Sequence, residues 1–180
     1  INGRAFYDTG DGILFRTRES DEQGSDTLLA SLSSQGLQAS LASDHPDFST
    51  EGRYVAFESA SPGLVPNDGN GASDVFVRDL AYGTTERVST TAAGTEVQGS
   101  ATLPSISGDG EWVAWSSFAA YDGSDQNGRS DVYLRRRNDD IVLRASRSES
   151  GAAENRASSK PPVSRDGRYR AFEPTAPNPV

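Results

Sequence analysis

The sequence predicts an all-β fold of β-propeller blades, each of four antiparallel strands, and three observations carry the prediction. A segment recurs at spacings of 58 and 57 residues, marked by Gly52, Gly110 and Gly167. The stretches between turn signals are short and rich in Val, Phe, Tyr and Trp, and none carries a 3.6-residue apolar period. Tyr54-Val55-Ala56-Phe57 and Val75-Phe76-Val77 are apolar on both faces, as suits a sheet sandwiched between neighbours. At 180 residues the chain holds about three repeats of ~57 residues plus one extra strand, a partial propeller or fragment. The repeats run approximately over 1–45 (degenerate), 46–103, 104–160 and 161–180 (truncated).

The elements follow in order. Pro46-Asp47-Phe48-Ser49-Thr50-Glu51-Gly52-Arg53-Tyr54-Val55-Ala56-Phe57 returns as Pro104-Ser105-Ile106-Ser107-Gly108-Asp109-Gly110-Glu111-Trp112-Val113-Ala114-Trp115. A third copy is Pro161-Pro162-Val163-Ser164-Arg165-Asp166-Gly167-Arg168-Tyr169-Arg170-Ala171-Phe172. Four strands per period are expected near Arg53–Glu58, Asp74–Asp79, Thr85–Ser89 and Ala101–Ser107, joined by Glu-Gly, Asp-Gly, Asn-Gly and Tyr-Gly turns. A worn earlier copy places Gly3–Asp8 before Asp21-Glu22-Gln23-Gly24-Ser25-Asp26 and Thr27-Leu28-Leu29, with the acidic stretch read as an empty turn. Trp112 and Trp115 stand at the Tyr54 and Phe57 positions, which are read as core.

The motif Pro-x-(Phe/Ile/Val)-Ser-x-(Asp/Glu)-Gly-x-(Tyr/Trp)-x-Ala-(Phe/Trp), followed about 20 residues later by Ser-Asp-Val-(Phe/Tyr), resembles the TolB-type, WD-repeat-like β-propeller repeat of exported bacterial proteins. The likeness is strong from Pro46 to Phe172. It implies four-stranded blades, an extracytoplasmic location (periplasmic, secreted or cell surface) and a role in protein contacts. Members typically carry six or seven blades, against about three here.

Composition narrows function. With 26 acidic and 17 basic residues the net charge is −9, which repels phosphate backbones and argues against nucleic-acid binding. Mean hydropathy is −0.61, and no apolar run approaches the ~18 residues of a membrane helix. There is no cysteine, so disulfides, thiolate nucleophiles and Cys-based zinc sites are excluded. The absence of Met and the start at Ile1 read as a processed or excised segment.

The candidate metal sites are two acidic loops. Asp68-x-Asn70-Gly71-x-x-Asp74 and Asp125-x-Asn127-Gly128-x-x-Asp131 place two carboxylates and an amide oxygen at loop positions 1, 3 and 7. Ca²⁺ takes six to eight oxygens, and a Gly-bent loop lets such side chains and nearby carbonyls converge. The expected ligands are Asp68, Asn70, Asp74 and the Ala72 carbonyl in one loop, and Asp125, Asn127, Asp131 and the Arg129 carbonyl in the other. The alternative is that both are plain Asn-Gly hairpin turns with Asp74 and Asp131 capping backbone amides.

The remaining candidates read as structural. His45, the only histidine, aligns with Leu103 and Lys160 and is expected to be a surface or structural residue. No base stands ready to activate a serine in the Ser-rich stretches, so no enzyme activity is predicted. Glu51, Asp109 and Asp166 repeat in register as turn residues, and Arg135-Arg136-Arg137 reads as a solvated strand end. The leading expectation is a non-catalytic, exported binding or scaffold module with calcium-stabilised loops and a protein partner. The alternatives are a structural subunit that self-assembles through open propeller edges or strand exchange, and a non-catalytic fragment of a secreted propeller enzyme.

Overall fold

The computed structural model describes residues 6–8, 12–16, 27–122, 128–139, 141–146, 158–159, 162–167 and 173–174. The described elements are all β. In chain order they are β1 (Phe6–Asp8), β2 (Ile13–Arg16), β3 (Thr27–Leu29), β4 (Ser43–Phe48), β5 (Tyr54–Ser59), β6 (Asp74–Asp79), β7 (Thr84–Arg87), β8 (Ala101–Ile106), β9 (Trp112–Ser117), β10 (Asp131–Arg136), β11 (Ile141–Arg144), β12 (Ser158–Ser159) and β13 (Glu173–Pro174). They form four antiparallel sheets, β1-β2-β3, β4-β5-β6-β7, β8-β9-β10-β11 and β12-β13. The strand at Ala101–Ile106, counted last in the sequence period, pairs with β9 and opens the next sheet.

Hydrogen bonds fix the equivalence of the sheets. The N–H of Ile13, Val75 and Val132 donates to the hydroxyl of Ser31, Ser89 and Ser146 at 3.1, 3.0 and 3.1 Å. β2, β6 and β10 are therefore the same strand of successive units, and Thr27–Leu29 is an outer strand like β7. This corrects the alignment of Thr27-Leu28-Leu29 with the strand after Asp74. Gly12, rather than Asp26, occupies the place of Asp74 and Asp131.

The apolar runs on both faces now have partners. Val55, Phe57 and Phe76 pack back toward the first sheet with Ile13 and Ala30, while Ala56, Val75 and Val77 pack forward with Val113, Trp115 and Tyr133. Every residue of β6 is buried. The sheets converge at β8, which packs against β4, β5 and β6. Trp115 is fully buried, but Trp112 is only half-buried. It lies on Gly167, where a Cβ would sit 2.5 Å from its ring.

Successive turns interlock. Thr50 N–H donates to Gly108 O at 2.8 Å, and Gly108 N–H to Arg165 O at 2.9 Å. Gly110, at φ +76°, lies under Tyr54, and a Cβ there would come within 2.2 Å of the ring. Glycine is required at that place both for the backbone conformation and for the close approach.

The inner strands carry a repeated irregularity. The β4–β5 register shifts between Asp44 and Asp47, and the β8–β9 register between Thr102 and Ser105. Inside each bulge a non-glycine residue adopts the left-handed region, His45 at φ 51° and Leu103 at φ 55°. Each precedes a proline, which further restricts its backbone.

Candidate metal centre

The first acidic loop connects β5 to β6. Asp74 begins β6 with its side chain fully enclosed, and Oδ1 accepts the Ser89 hydroxyl at 2.6 Å. Asn70 folds into an Asx turn, its Oδ1 accepting Ala72 N–H at 2.8 Å. Its Nδ2 donates to Asp74 Oδ2 at 3.2 Å and to Val97 O at 3.0 Å. The amide thus turns a donor, not an oxygen, toward Asp74.

Two residues outside the motif complete the cluster. Glu96, from the loop after β7, joins Asp68 and Asp74, so that three carboxylates bring oxygens within 4.8 Å of one another. Arg87 ends β7 with its side chain 8% exposed and places Nη1 among them, 2.5 Å from Glu96, 3.3 Å from Asp74 and 3.5 Å from Asp68. Its Nη2 also donates to Asn67 O at 3.1 Å. One guanidinium faces three carboxylates, leaving an excess of two negative charges when all are ionised.

The acids respond differently to this setting. Burial pushes the Asp74 carboxyl up, against the opposing pull of the Ser89 hydrogen bond and Arg87. Burial, with the neighbouring Asp74 charge, also raises Asp68. Glu96 is held below its ordinary value by the Gly69 N–H and by Arg87.

The second loop repeats part of the arrangement. Ser146 Oγ donates to Asp131 Oδ1 at 2.5 Å, and the buried Arg144 guanidinium lies 3.6 Å from Asp131 and 3.9 Å from Asp122. Of the ligands expected there, Arg129 and Asp131 are described, whereas Asp125 and Asn127 lie outside the described residues, as does Asp21–Asp26. The signal for the arginines and serines was available: Arg87/Arg144 and Ser89/Ser146 each recur at the 57-residue spacing. Glu96 has no such signal, because the corresponding position is Ala153.

Other charged side chains tie the sheets together. Arg78 Nη1 donates to Leu32 O at 3.3 Å, Ser33 O at 2.9 Å and Thr85 Oγ1 at 3.1 Å. Arg135 reaches Thr90 Oγ1 at 2.8 Å and Thr91 O at 3.1 Å in the corresponding loop. Arg137 binds Glu86 at 2.6 Å and lies 4.1 Å above the Tyr54 ring. The Arg135–Arg137 run is therefore not a simple solvated end; two of its members bridge to the preceding sheet. Asp79 pairs with Arg53 at 2.7 Å rather than with Arg78. His45 is exposed, with Nδ1 3.2 Å from Glu58, whose other oxygen accepts Leu103 N–H from the next sheet at 2.6 Å.

No family model matches the sequence, and no curated protein does. Among solved structures, the chain is similar to TolB from Acinetobacter baumannii at 15% identity and a TM-score of 0.45, covering 98% of this chain and 48% of that one. It is also similar to a structure described as TolB from Agrobacterium tumefaciens at 13% identity and a TM-score of 0.53, covering 95% and 52%. The second likeness, with the four-stranded sheets, shows a TolB-like β-propeller-type fold. The chain spans about half the length of the solved structures it matches. No helix of the described residues is long and apolar enough to cross a membrane.

Proposed function

We propose that the chain is a non-catalytic protein-binding or scaffold module of an exported propeller protein. The observation that supports this reading most is the repeated inner-strand bulge. Two non-glycine residues before proline are held in a sparsely populated conformation, and such strain is kept where surrounding contacts over-determine it and concentrates at functional positions. The backbone is constant while the side chain changes from His45 to Leu103, which suits reading a partner surface residue by residue. The repeat's resemblance to exported TolB-type proteins supports the extracytoplasmic location. The test compares the immobilised chain with a His45→Ala/Leu103→Ala double variant for proteins captured from the extracytoplasmic fraction of a bacterial source. Capture that the variant loses supports the reading, and equal capture by both sinks it.

A second element of the proposal is a calcium-stabilised first loop. Three convergent carboxylates against one guanidinium support it, with Ca²⁺ entering as Arg87 swings outward. EDTA is then expected to lower the melting temperature and excess Ca²⁺ to restore it, with a larger calcium response in Arg87→Ala. An unmoved melting temperature in both proteins rejects calcium.

A further inference from the structure

The equivalent outer edges of β7 and β11 differ in what covers them. At the edge of β7, Thr85 N–H donates to Ser34 Oγ at 2.9 Å, and Ser34 Oγ donates back to Thr85 O at 3.2 Å. One serine from the preceding loop thus occupies both outward main-chain groups of Thr85. At β11 the residue matching Thr85 is Val142, paired with Arg135 as Thr85 is with Arg78. The loop position matching Ser34 is Ala92, which has no hydroxyl.

The direction of the Val142 groups follows from the ladder. Ala145 N–H donates to Val132 O at 2.7 Å, which makes Tyr133 and Arg144 a non-hydrogen-bonded pair. Alternation makes Arg135 and Val142 another, so the N–H and C=O of Val142 point off the sheet edge. Ile141 and Leu143 flank it on one face, 41% and 42% exposed, where β7 carries Thr84 and Glu86.

We propose that β11 pairs antiparallel with β11 of a second copy of this chain, about a two-fold axis through Val142. The segment is self-complementary about that residue. Val142 and its symmetry mate exchange both N–H···O=C bonds, and Ile141 meets the partner copy's Leu143 twice, in the close non-hydrogen-bonded positions. A four-residue strand buries little area, so the dimer is weak. A charge of −9 on each copy opposes it at low salt. The proposal rests on the self-assembly alternative drawn from the sequence and assigns it an edge.

Sedimentation equilibrium of the 180-residue chain up to ~1 mM, at low and at 0.5 M salt, tests it. The expected result is a monomer–dimer equilibrium that tightens several-fold with salt and is lost in Ala92→Ser, which rebuilds the Ser34 seal. Leu143→Glu, an exposed substitution, is expected to abolish the dimer while the circular dichroism melt stays intact. A monomer under every condition overturns both the edge and self-assembly. A dimer indifferent to Ala92→Ser and Leu143→Glu overturns this edge alone.

Discussion

The sheets β4–β7 and β8–β11 share a ladder but not a filling. Both bulge at the same place in the inner strand, and both send an arginine, Arg78 or Arg135, into the loop of the sheet before. Their cores differ. Phe57 and Phe76 stack at 5.7 Å in an otherwise aliphatic buried cluster with Ile13 and Ala30, whereas Trp115 and Tyr133 stack at 6.2 Å with Tyr121 wedged against them at 5.2 and 4.9 Å. Burial raises the Tyr121 phenol well above its ordinary value. What repeats here is each arginine's grip on a main-chain carbonyl of the preceding loop, and what varies is the aromatic filling between the sheets.

Removing the larger aromatic cluster is the strongest way to break that comparison. Trp115→Ala is expected to cost about 3–5 kcal/mol, because the side chain is fully buried and its cavity is lined by two sheets. Chemical denaturation checks it, and a loss under 1 kcal/mol would mean that the sheets do not share one core.

Next in size are the main-chain devices. Gly110→Ala is expected to cost about 2–3 kcal/mol from a left-handed backbone plus a clash with Tyr54. Arg78→Ala is expected to cost about 2 kcal/mol by stripping donors from Leu32 O and Ser33 O. Arg78→Lys should recover less than half, since the shorter lysine side chain does not carry its ammonium to the place that Nη1 holds. Full recovery would reduce the hook to its charge.

The smallest effects are electrostatic and of opposite sign. Asp68 is raised by burial and by Asp74, so its stabilising contribution is present below its ordinary value of 3.8 and lost as pH rises through the folded pKa. Burial alone would raise Asp79 as well, but the Arg53 hydrogen bonds and the Ala81 and Tyr82 N–H groups hold it below 3.8. Its contribution is present above 3.8 and lost as pH falls through the folded pKa. Relative to the parent, Asp68→Asn should therefore gain stability between pH 3 and pH 7, while Asp79→Asn should lose it. Parallel slopes for the two variants would contradict the assigned partners.

Strands were legible where apolar runs lay between glycine turns: Arg53–Glu58 is observed as β5, Asp74–Asp79 as β6 and Ala101–Ser107 as β8, within a residue. The aromatics Phe57 and Trp115 were legible as core. Two of the three acids of the cluster were visible as Asp68 and Asp74. Arg87 carried a signal only in its recurrence as Arg144, which does not say which acids it meets, and Glu96 carried none, because it comes from the loop beyond β7 and has Ala153 at the matching place. The first repeat departs from the sequence reading, since Thr27-Leu28-Leu29, which follows Asp26 as Val75 follows Asp74, forms an outer strand like β7 and not a counterpart of β6.

The sequence by itself determined the period, the strand type and the turns, because these depend on propensity and on glycine's access to positive φ, both local properties. Only the tertiary structure decided which arginine faces which acid, where His45 and Leu103 are strained, and which strand edge is sealed. Those depend on groups from neighbouring sheets meeting in space. Ser34 and Ala92 differ by one hydroxyl in sequence, and only the packing of each loop against its strand gives that oxygen two main-chain groups to hold.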